Sequence, residues 1–399
     1  MKYDFDTVVN RRNTGSYKWD VKEDELPMWV ADMDFVAAPE ILEALSKKLS
    51  EGVFGYSVLP DEWAMAYTDW WKKRHSLDID REWLVFCTGV VPAISTAVRK
   101  LTTPAEKVLI QTPVYNIFFN SIINNGRFVV ENPLKRVGDS FEMDFEDLET
   151  KLSDPQTSLM ILCNPQNPVG KIWSRDVLKR VGELCAKYHV TVISDEIHCD
   201  LTDPGCEYVP FASVSEECAQ ISVTCMAPTK AFNIAGIQSA AVMIPNENLR
   251  HKMWRGLNTD EVAEPNAFAV AATVAAFTKG GQWLDELRMY ICENKKSVKE
   301  FIEQNISGIT VIPSDATYLL WLDCTQLCER VAKSKNGEVD TDEITRKIRE
   351  STGLYLSAGR QFGECGKYFI RMNIACPRVV LTDGLRRLQT GVRTLLGEK

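Results

Sequence analysis

The sequence predicts an α/β protein with a mainly parallel central sheet in a large domain, followed by a smaller α+β domain. Two observations carry that expectation. From residue 84, short apolar runs rich in β-branched residues alternate with helical stretches: WLVFC, TGVVPAISTAVRKL, KVLIQ and onward to ISVTC, which ends at Cys225. Unbroken apolar strands separated by helices imply parallel strands buried on both faces. Beyond SAAVMIP (239–245) the rhythm changes to long helices and then to more widely spaced strands, so a second domain is expected to begin near residue 285.

Composition limits the function. The 399 residues are 45% hydrophobic and 25% charged, enough for a large core. A formal net charge of -9 argues against a nucleic-acid surface, because phosphate backbones attract clustered Lys and Arg. The opening MKYDFDTVVNRRNTG lacks the apolar segment of a secretory signal, and no apolar run reaches the roughly 18 residues of a membrane span. A cytoplasmic protein without a membrane partner is expected. The 12 cysteines are scattered without a CxxC pair, so they read as reduced thiols filling the core, and no metal site is expected.

In chain order, residues 3–38 show little periodicity and end in LPMWVADMDF, an arm that docks elsewhere. PEILEALSKKLSE (39–51) has helical spacing with Pro in its first turn. GVFGYSVLP follows as a loop carrying Tyr56, and then Trp63, Tyr67, Trp70 and Trp71 recur at helical spacing as an aromatic core stripe. The βα series fills the middle of the chain. ITVIP, TYLLWLD, a helix at 341–351, GLYLS, YFIRMNIA and a last helix from Leu381 form the tail, with 334–343 as a loop.

Parallel sheets bind ligands outside the carboxyl ends of their strands, so the residues just after each run are the candidates. Gly89, Val90 and Val91 follow WLVFC and open a helix, where backbone N–H groups can hold an anion. Tyr115 follows KVLIQ and is either a core tyrosine or a stacking ring. SLMILCN leads into NPQNPVGK, a turn whose amides are also rigid hydrogen-bonding groups. VTVIS runs into Asp195, Glu196 and His198, and a carboxylate there is costly unless it meets a cation. Lys230 follows ISVTC in a nearly charge-free stretch. It either snorkels to solvent or is desolvated, with the lowered pKa a Schiff base needs. Together a phosphate nest, a stacking ring, an amide, an anion and an amine match what pyridoxal phosphate asks of a protein.

The stretches LPMWVADMDF, FGYSVLPDEW, TGVVPAI, CNPQNPVGK, SDEIHCDL, PTKAFNIAG and FIRMNIACPR resemble the fold-type I pyridoxal-phosphate enzymes of the aminotransferase superfamily. Within that family they resemble the cystathionine β-lyase branch, over nearly the whole chain. The resemblance implies an N-terminal arm (1–44) joining the small domain, a large cofactor domain (45–285) and a small C-terminal domain (286–399). It implies Lys230 as the Schiff-base lysine, Asp195 as partner of the pyridine nitrogen, Asn167 near O3′ and the substrate carboxylate, and Tyr115 as the stacking ring. It implies Arg371 as the grip on the α-carboxylate, Val30 and Ala31 as substrate lining, and Tyr56 as a residue given to the neighbouring subunit's site. The working unit is then a homodimer. Ala227 and Gln238 depart from the aminotransferase pattern, where Ser and Arg are common, which leaves the Gly89 nest, Tyr56 and Thr229 to hold the phosphate. His198 stands where a tyrosine is frequent and is expected to hydrogen-bond on the cofactor side.

The implied activity is α,β-elimination of cystathionine or a related S-substituted cysteine. An aminotransferase, which shares the steps up to the carbanion, and a regulatory protein that retains the cofactor are the alternatives.

Overall fold

A computed structural model describes residues 2–335 and 338–398, apart from the side chains of 334 and 335. Its centre is a seven-stranded sheet of β1 (Leu84–Cys87), β2 (Lys107–Ile110), β3 (Phe128–Glu131), β4 (Thr157–Cys163), β5 (Thr191–Asp195), β6 (Ser222–Met226) and β7 (Ala240–Met243). The spatial order is β1-β7-β6-β5-β4-β2-β3. The run from β6 to β3 is parallel, while β7 lies antiparallel to both its neighbours. Apolarity fixes that a strand is buried and says nothing of its direction, so the reversed β7 is a refinement that the structure adds.

Alternate side chains of each strand feed opposite faces. Val108, Ile110, Leu159, Ile161 and Ile193 join one apolar cluster, with Ile94, Ala97, Met253 and Leu257 from α3 (Val90–Leu101) and α5 (Glu247–Thr259). Leu109, Met160, Leu162 and Val192 join another, beneath Leu178, Val181 and Cys185 of α4 (Arg175–Lys187). The Ser174 hydroxyl caps α4 by accepting from Val177 N at 3.3 Å. The aromatic stripe of α2 (Asp61–His75) is core as expected, with Trp63, Tyr67, Trp70 and Trp71 all buried.

A four-stranded antiparallel sheet follows, of β8 (Thr310–Val311), β9 (Leu319–Asp323), β10 (Ser357–Ala358) and β11 (Phe369–Asn373), in the order β8-β9-β11-β10. Two helices cover this part, α8 (Thr341–Thr352) and α9 (Arg378–Leu396), the latter starting three residues before the expected Leu381. Helix Thr325–Lys335 and the short hairpin of Lys135–Val137 with Ser140–Glu142 went unread in the sequence. Of the expected loop 334–343, residues 336 and 337 lie outside the described residues, and 341–343 belong to α8. Helix α7 (Gly281–Asn305) runs unbroken through the boundary expected near 285.

Among the described residues, 2–38 contain one short strand, Leu26–Pro27, which pairs in parallel with Leu354–Tyr355. Beyond it, carbonyls on either side of Ala31 are taken by β11. Trp29 O accepts from Arg371 Nη2 at 2.9 Å, and Val30 O and Asp32 O accept from Asn373 Nδ2 at 2.5 and 2.6 Å. The arm is thereby tied to β11.

Candidate active site

Strands β1, β2, β4, β5 and β6 end around one cavity of about 280 Å³, whose walls include Ala31, Gly89, Val90, Val91, Tyr115, Asn167, Asp195, His198 and Lys230. Nine residues singled out from the sequence therefore meet, drawn from six separate stretches of chain. Parallel strands with helical crossovers bring this about, because each carboxyl end opens at the same edge.

Asp195 is the last residue of β5 and is buried, with one oxygen accepting from Ile197 N at 3.2 Å. Burial pushes its carboxyl up to about 7, against the opposing pull of the Lys230 charge. A carboxylate so placed gains most from a cation in the cavity. The next residue, Glu196, turns away: Ser194 Oγ at 2.7 Å, Phe211 N at 3.0 Å and the Tyr208 hydroxyl all donate to it.

Lys230 follows β6 in a turn whose Asn233 grips the arm. Asn233 accepts from Met33 N at 3.0 Å and donates to Met33 O and Phe35 O. That grip carries Ala31 O to 2.6 Å from the Lys230 amine. Burial lowers the amine to about 8, with Asp32 and Asp195 raising it and Arg371 lowering it further. Snorkelling is thus excluded for this lysine, since its amine turns inward to a carbonyl.

His198 is buried, and burial followed by the Lys230 and Arg371 charges lowers its imidazole to about 3. At neutral pH the ring is uncharged, and its Nδ1 lacks a hydrogen-bond partner among the described residues. Gly89 precedes α3 in extended backbone, leaving the N–H groups of Val90 and Val91 as first-turn donors beside the cavity; Pro92 has none.

Asn167 sits in a turn closed by Gly170 N donating to Gln166 O at 2.7 Å and by Val169 N donating to Gln166 Oε1 at 3.0 Å. The turn needs its glycine: Gly170 has φ +75°, and a Cβ there would stand 2.5 Å from Ser314 Cβ and 2.9 Å from Ala316 O. Arg371 of β11 donates through Nη1 to Asn167 Oδ1 at 3.3 Å and packs over the Phe362 ring at 4.6 Å. Burial lowers its guanidinium to about 10, so it stays charged at neutral pH, and its Nε has no partner among the described residues.

Four expected residues do not line this cavity, and of these Arg371 reaches it only through its bond to Asn167. Tyr56 is fully exposed in its loop, away from this cavity, and Thr229 is buried beside Lys230 without lining it. Val30 precedes the lining residue Ala31 and has its own carbonyl taken by Asn373, and Gln238 lines the wall just before β7. Tyr318 was missed altogether. It is fully buried, donates to Ala31 O at 3.0 Å and meets the His198 ring edge-on at 6.3 Å. At the start of an apolar strand it reads as core, and no sequence signal singles it out.

Comparison with known proteins agrees with this geometry. The chain is 42% identical over 394 residues to cystathionine beta-lyase PatB of Bacillus subtilis, covering 97% of this chain and 99% of that protein. It is 32% identical over 401 residues to protein MalY of Escherichia coli, covering 98% and 100%. The crystal structure of cystalysin from Treponema denticola, which contains pyridoxal 5'-phosphate, superposes with a TM-score of 0.93 at 33% identity, covering 99% of this chain and all of that one. The family described as aminotransferase class I and II matches residues 29–388, and it is to this family that the chain belongs.

Proposed function

We propose that the protein is a pyridoxal-phosphate-dependent carbon–sulfur β-lyase that cleaves cystathionine or a related S-substituted cysteine to thiol, pyruvate and ammonia. The carrying observation is that Lys230, Asp195 and Asn167 line one cavity and that Arg371 bonds the Asn167 amide behind it, in a chain 42% identical to a cystathionine β-lyase.

The residues fit the cofactor on their own chemistry. Asp195 offers a buried anion to a ring nitrogen, and Lys230 an amine of lowered pKa to an aldehyde. The unpartnered His198 Nδ1 and the Val90 and Val91 N–H groups offer polar contacts to oxygens, and Tyr115 offers a ring face. When bound, the cofactor supplies the aldehyde for the substrate amine and a ring that accepts the electron pair left at Cα.

Arg371 holds the substrate carboxylate through its guanidinium fork, with Asn167 fixing one arm of that fork. Val30 and Ala31 border the substrate. Lys230 Nζ removes the Cα proton, for which an amine lowered to about 8 is suited at neutral pH. Asp195 keeps its partner nitrogen protonated, and the neutral His198 serves as a hydrogen-bonding group, its lowered imidazole being unsuited to hold a proton at that pH. The Cα electron pair becomes the Cα–Cβ double bond as the thiolate leaves Cβ, and water converts the released enamine to pyruvate and ammonia.

The loop at 52–59 leaves Val53, Phe54, Tyr56 and Val58 exposed, which supports a homodimer in which Tyr56 completes the partner's phosphate site, with Thr229 as a further contact. The two sheets and the docked arm support a division into arm (1–44), large (45–285) and small (286–399) domains, with α7 as a continuous spine between the last two. Twelve free thiols support a reducing compartment, the cytoplasm. No helix of the described residues is long and apolar enough to cross a membrane.

Incubating purified protein with cystathionine and following pyruvate tests the reading. Pyruvate formed without an added keto acid supports the lyase; a keto acid made only when an amino acceptor is present would replace it with an aminotransferase.

A further inference from the structure

We infer that Tyr318 is a positioning residue for Lys230, its hydroxyl fixing the Ala31 carbonyl against which the free lysine amine is held. The inference rests on the reading of Lys230 as the proton-transferring amine. Ala31 O accepts from Lys230 Nζ at 2.6 Å and from the Tyr318 hydroxyl at 3.0 Å, one donor for each lone pair.

The neighbouring carbonyls of Trp29, Val30 and Asp32 are all held by Arg371 or Asn373 of β11. Ala31 O is the exception, since the lysine must leave it whenever the amine bonds elsewhere. Tyr318 then keeps the carbonyl in place for the amine's return.

The backbone before Tyr318 is strained in a way that aims it. Thr317, a β-branched residue, lies at φ +68°, where such side chains are genuine outliers. Thr317 N donates to Leu201 O at 2.7 Å, and Leu319 N donates to Thr317 Oγ1 at 3.1 Å. Asp315 N and Ala316 N both donate to Gly170 O, at 2.8 and 3.0 Å. Residues 315–317 are therefore pinned to the loop after β5 and to the Asn167 turn, which fixes the backbone that carries Tyr318. Tyr318 does not line the cavity; it reaches the site through its bond to Ala31 O and its edge-on contact with the His198 ring.

A carbonyl acceptor favours the ammonium form of a lysine. By occupying one lone pair, the hydroxyl weakens that preference and favours the neutral amine that takes a proton. The other groups facing the amine are Asp32 from the arm, Asp195 at the end of β5, His198 after it, Tyr115 after β2 and Arg371 from β11, and none of these is replaced in a Tyr318→Phe variant.

The test compares full-length wild type and Tyr318→Phe in two measurements. One is kcat and KM for cystathionine. The other is the pH midpoint for return of yellow colour when pyridoxal phosphate is added to the stripped protein, which reports the fraction of Lys230 present as free amine. We expect kcat to fall about tenfold with KM changed less than about twofold, and the midpoint to rise by about half a pH unit, as for the loss of one hydrogen bond. A kcat within about twofold of wild type with an unmoved midpoint overturns the inference. So does a fall in kcat that follows a fall in melting temperature while the midpoint stays put, because a packing role predicts that. A Lys230→Ala variant that still turns yellow would instead overturn the reading of the lysine, an outcome distinct from either.

Discussion

The Arg371 guanidinium and the Asn167 amide meet at 3.3 Å although 204 residues separate them, both buried, one from the small sheet and one from the turn after β4. The proposed substrate grip is therefore assembled across the two sheets. Arg371→Lys keeps the charge and loses the planar fork, so kcat/KM should fall about 10- to 100-fold, or about 1.4–3 kcal/mol, mostly through KM. Steady-state kinetics on cystathionine check this, and an unchanged KM would remove Arg371 from the grip.

Asp195 connects the site to stability. Its folded carboxyl is raised from 3.8 to about 7, so below about pH 3.8 it is protonated in both states and imposes no penalty. Between those values the folded chain holds the extra proton, and stability falls as pH rises; above about 7 the penalty is complete. Asp195→Asn should therefore make the cofactor-free protein more stable at pH 8 by on the order of 1–3 kcal/mol, while cofactor affinity drops. Thermal melts at pH 5 and pH 8, with and without pyridoxal phosphate, measure both effects.

For Lys230 the linkage has the other sign. Its amine is lowered from 10.5 to about 8, so between those values the unfolded chain binds the extra proton and folded stability rises with pH. Lys230→Met should flatten that rise in cofactor-free protein. Urea titrations at pH 7.5, 9 and 10 would expose it, and an equal slope in both proteins would refute the burial of this amine.

Gly170→Ala should cost about 2 kcal/mol or more, since the new Cβ meets left-handed backbone and the Ser314 side chain together. Because Asn167 shares the turn, activity should fall with it. Melting temperature and kcat on one preparation test whether the two losses coincide.

Mixing Tyr56→Ala with Lys230→Ala should restore activity if Tyr56 serves the partner's site. Random pairing leaves about a quarter of all sites intact, which sets the recovery expected after the two inactive proteins are mixed and allowed to exchange. No recovery after proven exchange would place Tyr56 outside the shared site.

Much of the cavity was legible because its parts follow apolar strands. Gly89, Tyr115, Asn167, Asp195 and Lys230 each stand just beyond a run that reads as a buried strand, and the fold gathers such positions at one edge. Tyr318 was illegible because its meaning lies in a bond to Ala31, 287 residues away, which no local pattern encodes. Helix Thr325–Lys335 went unread although Leu327, Cys328, Val331 and Ala332 recur at helical spacing, because that apolar stripe spans little more than one turn of a mostly polar stretch. The direction of β7 was hidden for another reason: AAVM is equally apolar read either way, and only its pairing with β1 and β6 reveals the reversal.

The reversed β7 also bears on the order of events during synthesis. Strand β1 has one neighbour in its sheet, and that neighbour is β7, made only after the five intervening strands. While the ribosome is still extending the chain, Leu84–Cys87 thus waits as an unpaired apolar segment, and the Gly89 helix start that follows it has no fixed place. Nascent chains arrested before Ala240 should bind holdase chaperones through that segment and capture no cofactor.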